Sequence, residues 1–195
     1  IYGATGFTGR LVAREAKRRG LAPVLGGRSS EAVLALADEL GLPARVFSLD
    51  SPDDVRRGLE GVRVVLHCAG PFARTGRPVV DACLALGAHY LDITGEIAVF
   101  EAVLARTEEA RAAGVALVPG VGFDVVPSDC LAATLVTDLP DATRLDLAFT
   151  GERGEWSAGT LKTAIESMPG AGAIRVDGHI VEVPLAHDVR EIVFP

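Results

Sequence analysis

Short apolar runs alternate along this chain with segments whose apolar positions recur every three or four residues. After Ile1 and Tyr2 comes the stretch Gly3-Ala4-Thr5-Gly6-Phe7-Thr8-Gly9-Arg10, and then a helical pattern that begins near Thr8 or Gly9, carries Leu11, Val12 and Ala16, and ends on Gly20. The apolar run 21–25 predicts a strand. Residues 31–40 predict a helix with Val33, Leu34, Ala37 and Leu40 apolar, closed by Gly41. A strand at 44–49, a helix at 53–59 led by Ser51-Pro52, and a continuous apolar strand at 63–68 follow. Such a run is what a parallel sheet buries on both faces. The alternation continues through a helix at 77–86, a strand at 89–96, a helix at 97–113, a strand at 115–119 and a helix at 130–138 opened by Pro127-Ser128-Asp129. Strands separated by helices predict an α/β fold of the Rossmann type, a doubly wound parallel sheet.

The pattern then changes. Residues 143–149 alternate as an antiparallel strand would, 150–159 are glycine-rich, 159–168 read as a helix, and 173–176 and 180–185 read as a hairpin across Asp177-Gly178. We expect a dinucleotide-binding domain over 1–130 and, over 131–195, the start of a second mixed α/β domain for substrate or dimerisation. A first residue that is not Met and a clipped opening strand suggest a piece of a longer protein.

The glycine stretch carries the first chemistry. Gly3, Gly6 and Gly9 are spaced GxxGxxG between a strand end and a helix, where backbone N–H groups and the positive end of the helix dipole suit a pyrophosphate. Together with the strand at 21–25 they make one βαβ unit, so a bound dinucleotide is the reading. An NAD site normally has an acidic residue some 20 positions further on, for the ribose hydroxyl. This chain has no carboxylate between Glu15 and Glu31; Gly26-Gly27-Arg28-Ser29-Ser30 stands there instead. Arg28 and Ser29 are equipped for a 2′-phosphate, which favours NADP; a solvated strand-end arginine is the alternative. Asp50 is placed either to meet the adenine amino group or to cap a turn. In a doubly wound sheet the ligand lies outside the carboxyl ends of the strands, where strand order reverses, so 70–76 should border the ribose and nicotinamide; a plain βα connection is the alternative.

Composition narrows the setting. Nearly half the residues are apolar and the formal charge is −7, which fits a soluble globular core and disfavours nucleic acid or an anionic membrane surface as partner. No run is long enough to span a membrane. Three distant cysteines, Cys68, Cys83 and Cys130, argue for a reducing, cytoplasmic setting without a disulfide framework. The absence of CxxC or paired histidines argues against a metal site.

GATGFTGR at 3–10, GGRS at 26–29, CAGPFARTGRPVVDAC at 68–83, YLDITGE at 90–96 and PGVGFDVVPSD at 119–129 occur in an order that resembles the saccharopine dehydrogenase-like oxidoreductases. The likeness runs over residues 1–168 and is strongest to the branch containing trans-acting enoyl reductases. It implies a nucleotide-binding domain followed by a substrate domain, with NADP between them and a homodimer as one possible assembly. By position, Gly3, Thr5, Gly6, Phe7, Thr8 and Gly9 would wrap the pyrophosphate, Arg28 and Ser29 the 2′-phosphate, and Gly70 with Pro71 the nicotinamide side.

The residue that handles the proton is open at this stage. The Tyr-x-x-x-Lys pair of short-chain reductases is absent, since Tyr2 is followed by Gly6 and Tyr90 by Thr94. Thr94, Glu96, Asp124 and Ser128 fall on the predicted rim, and Lys162 on the later helix. Glu96 is either a general acid or an acidic residue opening the helix at 97, Asp124 a proton donor or a loop organiser, and Lys162 a substrate anchor or a solvated lysine. His67, inside an apolar strand, reads as a hydrogen-bonded core histidine. Three functions follow: an NADP-dependent enoyl reductase for a lipid-type acyl group, an amino-acid dehydrogenase of the saccharopine type, or an NADP-binding sensor or scaffold without catalysis.

Overall fold

The computed structural model describes residues 1–123, 125–148 and 172–193. Contacts divide the chain into two units, Ile1–Asp146 and Leu147–Pro195. The first unit runs α1 (Phe7–Arg18), β1 (Leu25–Gly27), α2 (Ser30–Leu40), β2 (Ala44–Val46), α3 (Pro52–Leu59), β3 (Val64–His67), α4 (Phe72–Leu86), β4 (His89–Asp92), α5 (Ile97–Leu104), α6 (Thr107–Ala113), β5 (Leu117–Val118) and α7 (Val126–Asp138).

β1 pairs with β2, β3 with β4 and β4 with β5, all in parallel. Tyr2 joins the two sets, because it bridges to Gly26 on one side and to His67 on the other. Its N–H donates to Leu66 O at 2.9 Å and its carbonyl accepts from Cys68 N at 2.8 Å. The spatial order is therefore β2, β1, Tyr2, β3, β4, β5, and chain order reverses beside Tyr2. That is the doubly wound arrangement, with its ligand crevice at the reversal.

Each half has its own buried cluster. Ala4, Ala13, Leu25 and Leu36 tie α1, β1 and α2 together, whereas Val55, Val65, Val79 and Tyr90 tie α3, β3, α4 and β4. The periodicity in α2 works as predicted for Val33, Ala37 and Leu40, but Leu34 is exposed and Leu36 takes its place in the core. Gly41, in the left-handed conformation, stops the helix.

Several boundaries differ from those the pattern predicts, each for a local reason. α1 opens at Phe7, a residue or two early. The second strand begins at Leu25, not 21, and runs through Gly27. Gly26 and Gly27 thus belong to the sheet, where their carbonyls accept from Gly3 N, Ala4 N and Phe47 N. α4 starts at Phe72, five residues before the predicted 77, and contains Pro78; a carboxylate from β4's exit holds its first turn. The strand at 89–96 stops at Asp92, whose side chain captures Thr94 N and turns the chain. The helix predicted at 97–113 breaks into α5 and α6 around Arg106, which binds Asp81 at 2.7 Å and Glu109. α7 opens at Val126 with Val125 at its N-cap, so neither Ser128 nor Asp129 caps it; the Ser128 hydroxyl donates to Val125 O.

Residues 143–148 form no strand. In the second unit β6 (Gly172–Val176) and β7 (His179–Val183) make the predicted antiparallel hairpin. Asp177 at φ 49° and Gly178 at φ 82° form its turn, both positive as a type I′ turn requires. The loop at 150–159, the helix at 159–168 and Phe149 lie outside the described residues. Among those described, no helix is long and apolar enough to cross a membrane.

Candidate functional site

The turn from Tyr2 into α1 gives its three glycines three different tasks. Gly3 takes φ +78°, and a Cβ there would stand 2.7 Å from Ala69 N, so this glycine allows both the turn and the approach of β3's exit. At Gly9 a Cβ would lie 2.2 Å from Gly3 O, so the third glycine allows the helix to press on the turn. Gly6 is exposed, and a Cβ there would meet only Gly3 O, at 3.3 Å. Its open side is where a ligand's phosphates can approach the backbone. These are the tasks the glycines of a dinucleotide turn perform.

The helix end behind the turn is available to an anion. The first intrahelical acceptor, Gly6 O, is taken by Arg10 N at 3.0 Å, which leaves the N–H groups of Phe7, Thr8 and Gly9 ahead of it. No acidic residue stands in the first turn and no side chain caps it. Arg10 fixes the loop by donating from Nε to Thr5 O at 3.0 Å. Thr5, Gly6, Phe7 and Thr8 thus form one rim. The residues present fit a pyrophosphate.

Arg28 and Ser29 follow β1 directly, and both are exposed. Ser29 is the N-cap of α2, yet its hydroxyl caps nothing. Neither side chain has a hydrogen-bond partner among the described residues. Arg28 and Asp50 both act on the Tyr2 hydroxyl, whose pKa burial pushes up to about 12, with Arg28 lowering it and Asp50 raising it. The structure therefore gathers Arg28, Tyr2 and Asp50 at the carboxyl end of β1 and β2. Asp50 accepts from the Ser48 hydroxyl at 2.5 Å, and its own N–H donates to Ser48 Oγ. That is turn chemistry.

Across the reversal the construction changes. Gly70 is exposed and Pro71 is the N-cap of α4. The first N–H groups of α4 are all answered: Phe72 N and Ala73 N donate to Glu96 Oε1 and Oε2 at 2.8 and 2.9 Å, and Arg74 N and Thr75 N to Pro71 O. Glu96 is the N-cap residue of α5, while its carboxylate serves the neighbouring helix. The charge that α1 leaves unsupplied is supplied at α4 from within the protein.

Behind Glu96 lies a buried polar group that sequence reasoning did not single out. Asp92 is fully buried at the end of β4. Oδ2 accepts from Tyr90 Oη at 2.7 Å, and Oδ1 accepts from Thr94 N at 2.9 Å and Gly120 N at 2.8 Å. Its backbone oxygen takes Val121 N at 2.7 Å. Burial and the Asp92 carboxylate push the Tyr90 phenol well above its ordinary range, so its proton stays in this bond. Thr94 Oγ1 accepts from Glu96 N at 3.0 Å. The alternation of Tyr90, Asp92 and Thr94 through 90–94 was the available signal, with polar residues on the inward side.

His67 is fully buried beside Tyr2, Phe72 and Tyr90. Nε2 lies 3.0 Å from Thr75 Oγ1, whose proton is directed to Ala69 O at 2.6 Å, so Nε2–H is the donor. The core-histidine expectation holds for Nε2. Nδ1, however, is buried without a partner among the described residues. Burial lowers the imidazole pKa to about 3. At the exit of β3, burial first of all raises the Cys68 thiol to about 11. Asp124 and Lys162 lie outside the described residues, and Ser128 is spent on Val125 O.

Residues 1–118 match the model of the saccharopine dehydrogenase NADP binding domain. A relative in Mycobacterium tuberculosis, provisionally named a trans-acting enoyl reductase, is 32% identical over 184 residues, covering 86% of this chain and 43% of that protein. The trans-acting enoyl reductase of Mycobacterium leprae is 36% identical over 137 residues, 66% of this chain and 33% of its own. The human saccharopine dehydrogenase-like oxidoreductase is 31% identical over 149 residues, 66% of this chain and 35% of its own. The chain thus spans less than half the length of these relatives. Among solved structures, saccharopine dehydrogenase (L-Glu forming) from Saccharomyces cerevisiae superposes with a TM-score of 0.58 at 20% identity, over 71% of this chain and 30% of that one, a likeness of fold. With the glycine turn, the strand order and the family model in agreement, the chain belongs to the saccharopine dehydrogenase-like family and carries its NADP-binding domain.

Proposed function

We propose that this chain is the cofactor-binding part of an NADP-dependent oxidoreductase that reduces an enoyl group on a lipid-type acyl substrate. The observation that carries the cofactor assignment is the open N-terminus of α1 behind Gly6, with Arg28 and Ser29 exposed at the end of β1 and their side chains without a hydrogen-bond partner among the described residues. The trans-acting enoyl reductase names of the mycobacterial relatives support the substrate class. We assign the dinucleotide to residues 1–130 and the substrate to the segment from 131 onward. The free cysteines support a reducing, cytoplasmic setting. Self-association as a homodimer belongs to the same proposal and is read by sedimentation.

Bound NADPH supplies the hydride. The chain's own part is to hold the pyrophosphate on the N–H groups of the 5–9 rim, to pair Arg28 and the Ser29 hydroxyl with the 2′-phosphate, and to keep Gly70 and Pro71 beside the nicotinamide. Titration with NADPH and NADH, in the native sequence and in Arg28→Ala, tests this. NADPH binds the more tightly, and the variant loses about 2 kcal/mol, roughly 30-fold, toward NADPH alone. Equal affinity for the two dinucleotides, or equal loss of both, overturns the 2′-phosphate assignment.

A further inference from the structure

We propose that Asp92, Thr94 and Glu96 form a hydrogen-bonded brace that positions the nicotinamide half of the dinucleotide without touching it. The inference rests on the NADP reading above and deepens it. Arg28 and Asp50 sit at the carboxyl ends of β1 and β2, so the adenosine end belongs to that half of the sheet and the other end crosses the reversal at Tyr2 to the carboxyl ends of β3, β4 and β5. Three segments converge there: the turn into α4 at 70–73, the exit of β4 at 92–96, and the exit of β5 at 118–122.

The sheet ladder ends at His67, Asp92 and Val118. Beyond it one backbone bond, Val121 N to Asp92 O at 2.7 Å, ties the β5 exit to β4, and one continuous series of side-chain contacts joins all three segments. Gly120 N and Thr94 N both end on Asp92 Oδ1, Thr94 Oγ1 takes Glu96 N, and the Glu96 carboxylate takes Phe72 N and Ala73 N. The series starts from a fully buried carboxylate and a nearly fully buried threonine and ends at the partly buried Glu96. Gly120 itself takes φ +75° and packs against the Phe100 ring, which a Cβ there would approach to 2.3 Å. The brace sets the spacing between Pro71 and the 120–122 loop. A flat ring entering between them meets walls already in place, and so loses little of its binding to ordering them.

A part that only stabilised the fold would weaken every ligand alike. The brace, by contrast, affects only the nicotinamide end. The test compares NADPH with 2′,5′-ADP, which carries the adenosine end and the 2′-phosphate and lacks nicotinamide, by calorimetric titration of the purified chain. Glu96→Gln removes one of the two acceptors at the start of α4. Thr94→Val removes the acceptor for Glu96 N at nearly constant volume, and Thr94→Ser restores it. Glu96→Gln and Thr94→Val weaken NADPH by about tenfold, leave 2′,5′-ADP within about twofold, and Thr94→Ser binds both as the native chain does. Parallel loss of both probes, no loss of either, or failure of the serine to rescue overturns the brace. If the native chain binds neither probe, the NADP reading itself falls and the brace goes with it.

Discussion

The N-termini of α1 and α4 open from the same edge of the same sheet and solve the same electrostatic problem in opposite ways. Each follows a strand or bridge that ends at the crevice, and each turns there the first N–H groups of a helix, which have no partner within the helix itself. At α1 the turn is rich in glycine, no acidic residue stands in the first turn of the helix, and the N–H groups of Phe7, Thr8 and Gly9 lie ahead of the first helical bond. At α4 the Glu96 carboxylate already fills that place, held there by Thr94 and Asp92. Two anion sites at one edge would compete for the phosphates. Neutralising one from within leaves the N-terminus of α1 open to an anion and makes the N-terminus of α4 part of the wall.

If the second half depends on buried side chains and the first on backbone, the largest loss should follow from Asp92. Alanine at 92 leaves the Tyr90 hydroxyl, Thr94 N and Gly120 N without their acceptor in a fully buried place. At about 1 to 3 kcal/mol for each orphaned group, the cost is about 4 kcal/mol or more. Urea unfolding followed by circular dichroism measures it. Asp92→Asn, which keeps one oxygen for the two N–H donors, should lose less than half as much. Equal losses for the two variants would mean that packing, not the acceptor set, is what Asp92 provides.

The same division explains what the sequence made legible. Gly3 and Gly9 are required by close backbone approach at a fixed separation, so the residue type itself reports the geometry, and a glycine turn leading into α1 is legible without tertiary information. Gly26 and Gly27 show the limit of that logic, for they serve the sheet and the packing of Tyr2 and Val33, not the phosphate-binding tip. In the second half, Tyr90, Asp92 and Thr94 look like the outward face of a half-buried strand, and only the fold reveals that they point inward together. Glu96 was recognised as a residue at the start of α5. That its carboxylate reaches back over 23 and 24 residues to α4 depends on a parallel crossover that no local pattern records.

On the glycine side the comparison is sharpened by two substitutions of the same kind. Gly9→Ala drives a methyl to within 2.2 Å of Gly3 O, a backbone atom that cannot step aside alone, and should cost about 3 kcal/mol of stability. Gly6→Ala, at φ −71° and with its nearest neighbour at 3.3 Å, should change stability by about 0.5 kcal/mol or less. Its methyl nevertheless stands on the side where the phosphates approach, so NADPH affinity should fall while the unfolding midpoint stays. A Gly6→Ala chain that binds NADPH as before would place the pyrophosphate elsewhere.

A pH dependence separates the halves as well, through the buried His67. Burial holds the His67 imidazole at a pKa of about 3, against 6.5 for the free side chain. The unfolded chain therefore takes up a proton as pH falls below about 6.5, while the folded chain stays neutral there until about 3. Stability from this residue is complete above 6.5 and is lost on acidification, at about 1.4 kcal/mol per pH unit, or about 2 kcal/mol between pH 7 and pH 5. His67→Phe removes that slope. It also removes the unpartnered Nδ1 and leaves the Thr75 hydroxyl its bonds to Ala69 O and Pro71 O, so stability at pH 7 should change by no more than about 1 kcal/mol. Unfolding midpoints at pH 5, 6 and 7 separate the outcomes. A variant as acid-sensitive as the native chain would show that folded His67 takes up its proton over the same pH range as in the unfolded chain, so that burial does not hold it neutral.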